Sequence, residues 1–336
     1  MSYLLVGDIG GTKGLLRLID QNGQPLYTNR YEMRNFPHLE AVIEQFLTDV
    51  KVNLQITEKP QMICLGIAGS IVGDECRMVN LGWVIDRRAV SRHLEIERVV
   101  FINDFTAVGY GVLGLDKQDL LTLQNVTPVV GAPIGVIGAG TGLGEGFLIK
   151  QGEGYQVYPT EGGHTEFAPR SLLEIELLKY LQQKFGRVSV ERVVSGQGIT
   201  NIYAFLHQYY RAEHSNIYQA VIDSHPDAPA LIAQAARNKT DSIAAETIAI
   251  FLDCYAREVG DFALKLLAYG GIYIAGGILP KLLNLCLVDQ GKFLATIKDK
   301  GRVSHLLDHI PFHIVLHPEV GLIGAGILAI TLTKSN

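Results

Sequence analysis

The sequence predicts an α/β protein divided into two domains or lobes. Apolar runs alternate with helix-period patterns along the whole chain, as strands and their covering helices do. Two segments read as strand, Gly-rich turn, strand, and they resemble each other: Val6-Gly7-Asp8-Ile9-Gly10-Gly11-Thr12 and Ile137-Gly138-Ala139-Gly140-Thr141-Gly142. The length, 336 residues, is more than one core usually holds.

Taken in order, YLLVGDIGGTKGLLRLID is strand, Gly turn, strand. PQMICLGIAGSI and RVVFIND are buried strands that end in small or polar residues. APIGVIGAGTGLGEGFLIK repeats the first pattern. The later half is more helical. SLLEIELLKYLQQKF has helical spacing after the start signal Pro169-Arg170-Ser171. The polar stretch from His214 to Pro229 reads as a loop or surface excursion. SIAAETIAIFLDCYAREVGDFALKLLAY is a long, mostly apolar helix of the kind buried between layers. GGIYIAGGI is a strand entering a Gly turn, and EVGLIGAGILAI is a closely packed terminal helix.

Composition narrows the class. The chain is 48% hydrophobic and 19% charged, ordinary for a globular protein. A net charge of −5 speaks against broad nucleic-acid binding. Cys64, Cys76, Cys254 and Cys286 are scattered without CxxC or zinc spacing, as in a reduced cytoplasmic protein. The start, MSYLLVGDIGG, lacks the basic segment of a signal peptide. No stretch reaches the roughly 18 apolar residues of a membrane span.

Glycines let a turn's N–H groups approach an anion, and Thr12 and Thr141 add hydroxyls. A plain hairpin accounts for one such turn alone; two, with a third at Ala275-Gly276-Gly277, point toward phosphate. Walker A spelling occurs nowhere, and GxGxxG fails at Leu143, Glu145 and Phe147. Asp8 is either an Asx-type turn residue or a Mg²⁺ ligand, direct or through water.

YPTEGGHTEFAPRS sets Glu161, His164 and Glu166 around a Gly-Gly turn, and GRVSVERVVSGQG adds Glu191. Carboxylate, imidazole and carboxamide groups suit a polyhydroxylated ligand; a lone His in a loop is otherwise a solvated or capping residue. Asn103-Asp104 ends a strand before a helix. The pair is an N-cap, a general base at a strand's carboxyl end, or both.

GDIGGTK, INDFTAV, GAGTGLG, EGGHTEFAP, ERVVSGQG and IAGGI stand in the order seen in bacterial glucokinases of the hexokinase/actin-like ATPase superfamily, which the chain resembles from Leu5 to about Ala325. The resemblance implies a two-lobed ribonuclease-H-like fold with a central cleft: a small lobe of residues 1–108 plus 318–336 and a large lobe of 109–317. It implies ATP:glucose 6-phosphotransfer, with Asp104 as catalytic base and Asn103, Asp104, Glu161, His164 and Glu191 on the sugar. ATP phosphate contacts fall to Gly7, Asp8, Ile9, Gly10, Gly11, Thr12 and Lys13 and to Gly140, Thr141 and Gly142. Gly276 and Gly277 fall to adenosine, and Asp8 to Mg²⁺ or its waters. A cytoplasmic homodimer, without nucleic-acid or membrane partners, completes the expectation.

The chain departs from relatives in three places. The zinc-binding cysteines of the related ROK kinases are absent, Gly69-Ser70 stands where many relatives carry proline, and GVLGLDKQDLLTLQ reads as a surface elaboration. A kinase of glucosamine, mannose or an N-acetylated sugar, a non-catalytic sugar-binding regulator, and an actin-like structural ATPase are the alternatives. Intact Asp8, Asp104 and both Gly loops weigh against the regulator, and the Glu/His set against the structural ATPase.

Overall fold

Two wholly buried apolar runs, Met62–Ile67 and Ile134–Ala139, form interior strands of two sheets, as strands covered on both faces should. The computed structural model describes residues 2–78 and 80–334; residues 1, 79, 335 and 336, which include the extreme ends of the expected small lobe, lie outside it. The chain forms two compact units, residues 1–116 with 317–336 and residues 117–316.

In the first unit, β1 (Tyr3–Ile9), β2 (Lys13–Asp20) and β3 (Pro25–Glu32) run as an antiparallel meander. After α1 (Leu39–Leu54), β4 (Met62–Ile67) joins β1 in parallel. A small separate sheet follows: β5 (Ser70–Val72), β6 (Glu75–Met78) and β7 (Trp83–Asp86). Then come α2 (Arg87–Leu94), β8 (Arg98–Asn103) parallel to β4, and α3 (Asp104–Gly111). The main sheet has the order β3-β2-β1-β4-β8. Phe46, Leu16, Ile63 and Val90 sit at the centre of its core.

In the second unit, β10 (Ile134–Ala139), β11 (Leu143–Gln151) and β12 (Gly154–Thr160) repeat the meander. β13 (Gly271–Ala275) and β14 (Phe312–Val315) add in parallel, and β9 (Leu120–Gln124) closes the edge. The order is β12-β11-β10-β13-β14-β9. Its first five strands repeat the order and directions of the first unit, so the likeness of the two Gly-turn sequences is a likeness of two ribonuclease-H-like sheets. Helices α4 (Leu172–Phe185), α5 (Gly196–Tyr209), α6 (Asn216–Ile222), α7 (Ala228–Asn238), α8 (Ser242–Leu266), α9 (Ile278–Asn284) and α10 (Gln290–Lys298) complete the unit. α8 is the long apolar helix expected, and α4 starts at the Ser171 cap, whose side chain accepts from Glu174 N–H.

Two expectations are corrected. The stretch from His214 to Pro229 lies at the surface, with an exposed turn over 223–227, but it is not all loop: Ser215 caps α6 by accepting from Tyr218 N–H, and Ile217, Tyr218 and Val221 pack on the core. Its polar composition hides one apolar helical stripe. GVLGLDKQDLLTLQ is not a surface elaboration either, because its second half is β9, paired with β14. Gln124 locks that edge, donating through Nε2 to the carbonyls of Leu307 (2.8 Å) and Ile310 (2.7 Å). No helix among the described residues is long and apolar enough to cross a membrane.

The last helix, α11 (Val320–Lys334), packs in the first unit on α3, β1 and β4. At the α3 crossing the two backbones touch: a Cβ on Gly324 would run into Ala107 O, and one on Gly111 into Val320 O. Gly326, two residues on, faces only ordinary contact, with Ile19 Cδ1 3.7 Å from where a Cβ would be. We expect Gly324→Ala to destabilise by about 1–3 kcal/mol, the usual cost of overpacking. Gly326→Ala should be neutral or stabilising by up to about 1 kcal/mol, the helical preference for alanine. Thermal unfolding of the two variants checks the contrast; equal losses would contradict it.

Candidate active site

The first unit gathers Asp8, Asn103 and Asp104. Asn103 ends β8, and its Oδ1 caps α3 by accepting from Phe105 N–H (2.9 Å) and Thr106 N–H (3.2 Å). The capping role weighed from sequence therefore belongs to Asn103, whose side-chain amide also donates toward the Asp104 carboxylate. Asp104 is the first residue of α3, where the helix dipole favours an anion. Its Oδ1 accepts from Phe105 N–H at 2.9 Å. Asp8 lies inside the ladder, opposite Leu15 of β2 and Gly66 of β4, rather than in a turn. The start of α11 packs over it: a Cβ on Gly321 would lie 3.1 Å from Asp8 Oδ2.

The hairpin after Asp8 is closed by Gly10 N–H donating to Lys13 O (2.9 Å), and Met33 N–H donates to Thr12 O (2.9 Å). Gly7 and Ile9 lie within β1, where Ile9 is fully buried, so each offers a ligand its backbone alone. Asn80, from another segment, fills the space a Cβ on Gly11 would need. Thr12 and Lys13 are exposed, and Lys13 Nζ lies 3.6 Å from Glu32.

The second unit builds its polar set on the first residues of β11. Leu143 N–H donates to Glu191 Oε2 (2.9 Å), and Gly142 has no room for a Cβ beside that carboxylate. Glu161 and His164 flank a single 3-10 turn, Gly162–His164, closed by His164 N–H to Glu161 O (3.0 Å). Both side chains are exposed, with His164 Nε2 3.7 Å from Glu161 Oε2. Sequence reasoning missed Arg187: its Nη2 donates to His164 O (2.5 Å) and its Nε to Glu166 Oε1 (2.7 Å), fastening the far end of the turn. It also missed Glu145, buried beneath the turn. No sequence signal marked either residue as a partner of the turn.

The remaining glycines frame a cavity of about 900 Å³, lined by Gly140, Thr141, Gly196, Gly277, Ile278 and Lys281 among others, within the size range of small-molecule pockets. Gly196 N–H at the head of α5 donates to Gly140 O (2.9 Å), which brings a helix N-terminus to the Gly loop. Ser195 caps that helix, accepting from Gly198 N–H (2.9 Å) and donating to Glu191 O (2.7 Å). Gly276, at φ +84°, turns the chain tightly over Ala139 between β13 and α9.

Burial shifts the proton affinities of Asp8 and Asp104 in the first unit. Burial, then repulsion from Asp104, pushes Asp8 up to about 6. Burial raises Asp104 too, against the opposing pull of Phe105 N–H and Asn103. The folded protein thus holds the Asp8 proton more tightly than the unfolded chain does, so this group costs stability as pH rises from about 4 through about 6. In metal-free, nucleotide-free buffer, Asp8→Asn should melt above the parent protein near pH 7, with the gap closing toward pH 4. Parallel melting curves across that range would contradict the assignment.

The Glucokinase family pattern matches residues 5–332. A glucokinase of Trichormus variabilis is 47% identical over 99% of this chain and 100% of its own length. One from a Synechocystis species is 42% identical, covering 97% of each. Among solved structures, a glucokinase from an Antarctic psychrotroph superposes with a TM-score of 0.81 at 27% identity, over 99% of both chains. The glucokinase of Balamuthia mandrillaris, solved in complex with glucose, shares the fold with a TM-score of 0.79 at 22% identity, over 98% of this chain and 93% of that one. With motifs, duplicated sheets and full-length relatives in agreement, the chain belongs to the glucokinase family.

Proposed function

We propose that this protein transfers the γ-phosphate of ATP to the 6-hydroxyl of glucose, giving glucose 6-phosphate and ADP. The observation that carries this reading is the full-length likeness, at 47% identity, to a relative named glucokinase. Asp104 is the general base. Its helix-terminal setting orients the carboxylate, and burial raises its proton affinity, which strengthens it as a base. Asn103, its oxygen committed to the cap, binds a sugar hydroxyl through Nδ2. Glu161, His164 and Glu191 take the other hydroxyls as acceptors and donors.

Gly10, Gly11, Thr12 and Lys13 in one hairpin, and Gly140, Thr141 and Gly142 in the other, hold phosphate through N–H and hydroxyl groups. Gly277 lines the 900 Å³ cavity and Gly276 makes the tight turn before it; in this reading the pair takes the adenosine. Aimed at the transferring group, such donors stabilise its charge in transit.

The residues fit Mg²⁺ at Asp8. Two acids close enough for one to raise the proton affinity of the other are a site that lacks positive charge. No cluster of three metal-ligating side chains occurs among the described residues, so phosphate oxygens and water would complete the shell. The chemistry a bound Mg²⁺ supplies there is neutralisation of phosphoryl charge. A cytoplasmic homodimer belongs to the same reading and rests on the family likeness.

A coupled ADP-release assay across glucose, glucosamine, mannose and N-acetylglucosamine, with and without Mg²⁺, tests this. We expect glucose to give the highest kcat/KM and activity to vanish without Mg²⁺; no turnover, or preference for another hexose, would overturn the assignment. Glu161→Gln should raise the glucose KM by roughly tenfold or more, the value of a hydrogen bond to a charged group. An unchanged KM would remove Glu161 from the sugar site.

A further inference from the structure

Glu145 stands in β11 with only 3% of its surface exposed. Its cross-strand partners, Ile137 on β10 and Thr160 on β12, carry no charge. Oε1 is buried without a hydrogen-bond partner among the described residues. Oε2 lies against the backbone of Gly162, where a Cβ would run into it. Gly162 N–H donates to Thr160 Oγ1 (3.1 Å), and that hydroxyl donates to the Glu145 carbonyl (3.2 Å). The turn bearing Glu161 and His164 thus rests on the Glu145 carboxyl and is tied to the Glu145 backbone.

Helix α8 supplies the other groups that act on this carboxyl. Glu258 repels its ionised form, and Lys265 attracts it. Lys265 Nζ also lies 3.4 Å from Glu258 Oε1, so its charge is shared. The Tyr255 hydroxyl is engaged with Ala139 N–H (3.1 Å) and Ala275 O (3.4 Å). The turn itself adds Glu161 and His164. Burial first, then Glu258, pushes Glu145 up to about 7. As a neutral acid it gives the turn an uncharged floor. Once ionised, it is a buried charge without donors, and the direct relief is to lift Gly162 and admit water.

We propose that Glu145 is a positioning residue for sugar binding: protonated, it supports the Glu161–His164 turn in its sugar-binding geometry, and ionised, it loosens that turn. This rests on the reading of Glu161 and His164 as sugar ligands. It adds that affinity for the sugar, rather than turnover, responds to pH through a group that does not touch the sugar.

The test is the glucose KM at saturating Mg-ATP from pH 6 to pH 8, for the parent protein, Glu145→Gln and Glu161→Gln. Glutamine keeps the shape of the protonated acid and cannot ionise. With a midpoint near about 7, the parent KM should rise about tenfold across that range as the competent fraction falls. The Glu145→Gln KM should stay flat, with the same kcat profile in both. Every ionisable group except Glu145 is common to the two proteins, so the difference between their profiles reports Glu145. A flat parent KM overturns the proposal without any variant, and so does a Glu145→Gln KM that keeps the parent slope. If Glu161→Gln leaves KM unchanged at pH 6, the sugar-site reading itself fails and takes this proposal with it. Where Glu161 does raise KM, the pH profile judges Glu145 alone.

Discussion

Where α3 and α11 cross, two backbones meet with no side chain between them, at Gly111 beside Val320 and at Gly324 beside Ala107. Interiors packed to this density pass displacement on rather than absorb it. Asp8 and Asp104 both depend on this crossing. Asp104 is the first residue of α3, and Asp8 lies beneath Gly321 at the start of α11. The final helix of the chain therefore completes a site begun by its eighth residue. A shift of either helix by the width of one methyl group would change both the burial of Asp8, which with repulsion from Asp104 raises it to about 6, and the spacing of the two acids.

The second unit solves its positioning problem with a strand. The opening residues of β11 touch every part of its polar set: Leu143 N–H holds Glu191, Leu143 O leaves no room for a side chain on Gly163, and Glu145 underlies Gly162. Arg187 fastens the other end of the turn through His164 O and Glu166. Glu161 and His164 themselves stay exposed, so the turn is held through its backbone and leaves both side chains at the surface. The same architecture, hairpin then parallel strands, carries phosphate-type Gly loops in both units, and in the second it also frames the cavity that suits a nucleotide.

Much of this was legible in the sequence because it rests on local chemistry. Gly-rich turns between apolar runs announce the β1–β2 and β10–β11 hairpins, and Asn103-Asp104 announces a helix start whether or not it also does chemistry. What stayed hidden rests on distant partners. β9 becomes a strand because β14 pairs with it, and its own residues carry no strong strand signal. α6 is a short helix whose apolar stripe, Ile217, Tyr218 and Val221, is diluted by polar neighbours. Glu145 and Arg187 were invisible as site residues because each acts on the turn from a different part of the fold. Asn103 and Asp104 could be paired by spelling, but only the fold separates their hydrogen bonds: Asn103 Oδ1 accepts from Phe105 and Thr106 N–H, and Asp104 Oδ1 from Phe105 N–H.

The central claim is that the Asp104 carboxylate is the base. Turnover of Asp104→Asn with glucose and Mg-ATP, measured beside its thermal melting and its glucose affinity, tests it most directly. The account predicts kcat lower by at least roughly 10²-fold, the range of general-base catalysis, with the fold intact and glucose still bound. Near-parental turnover in a folded Asp104→Asn protein would contradict it.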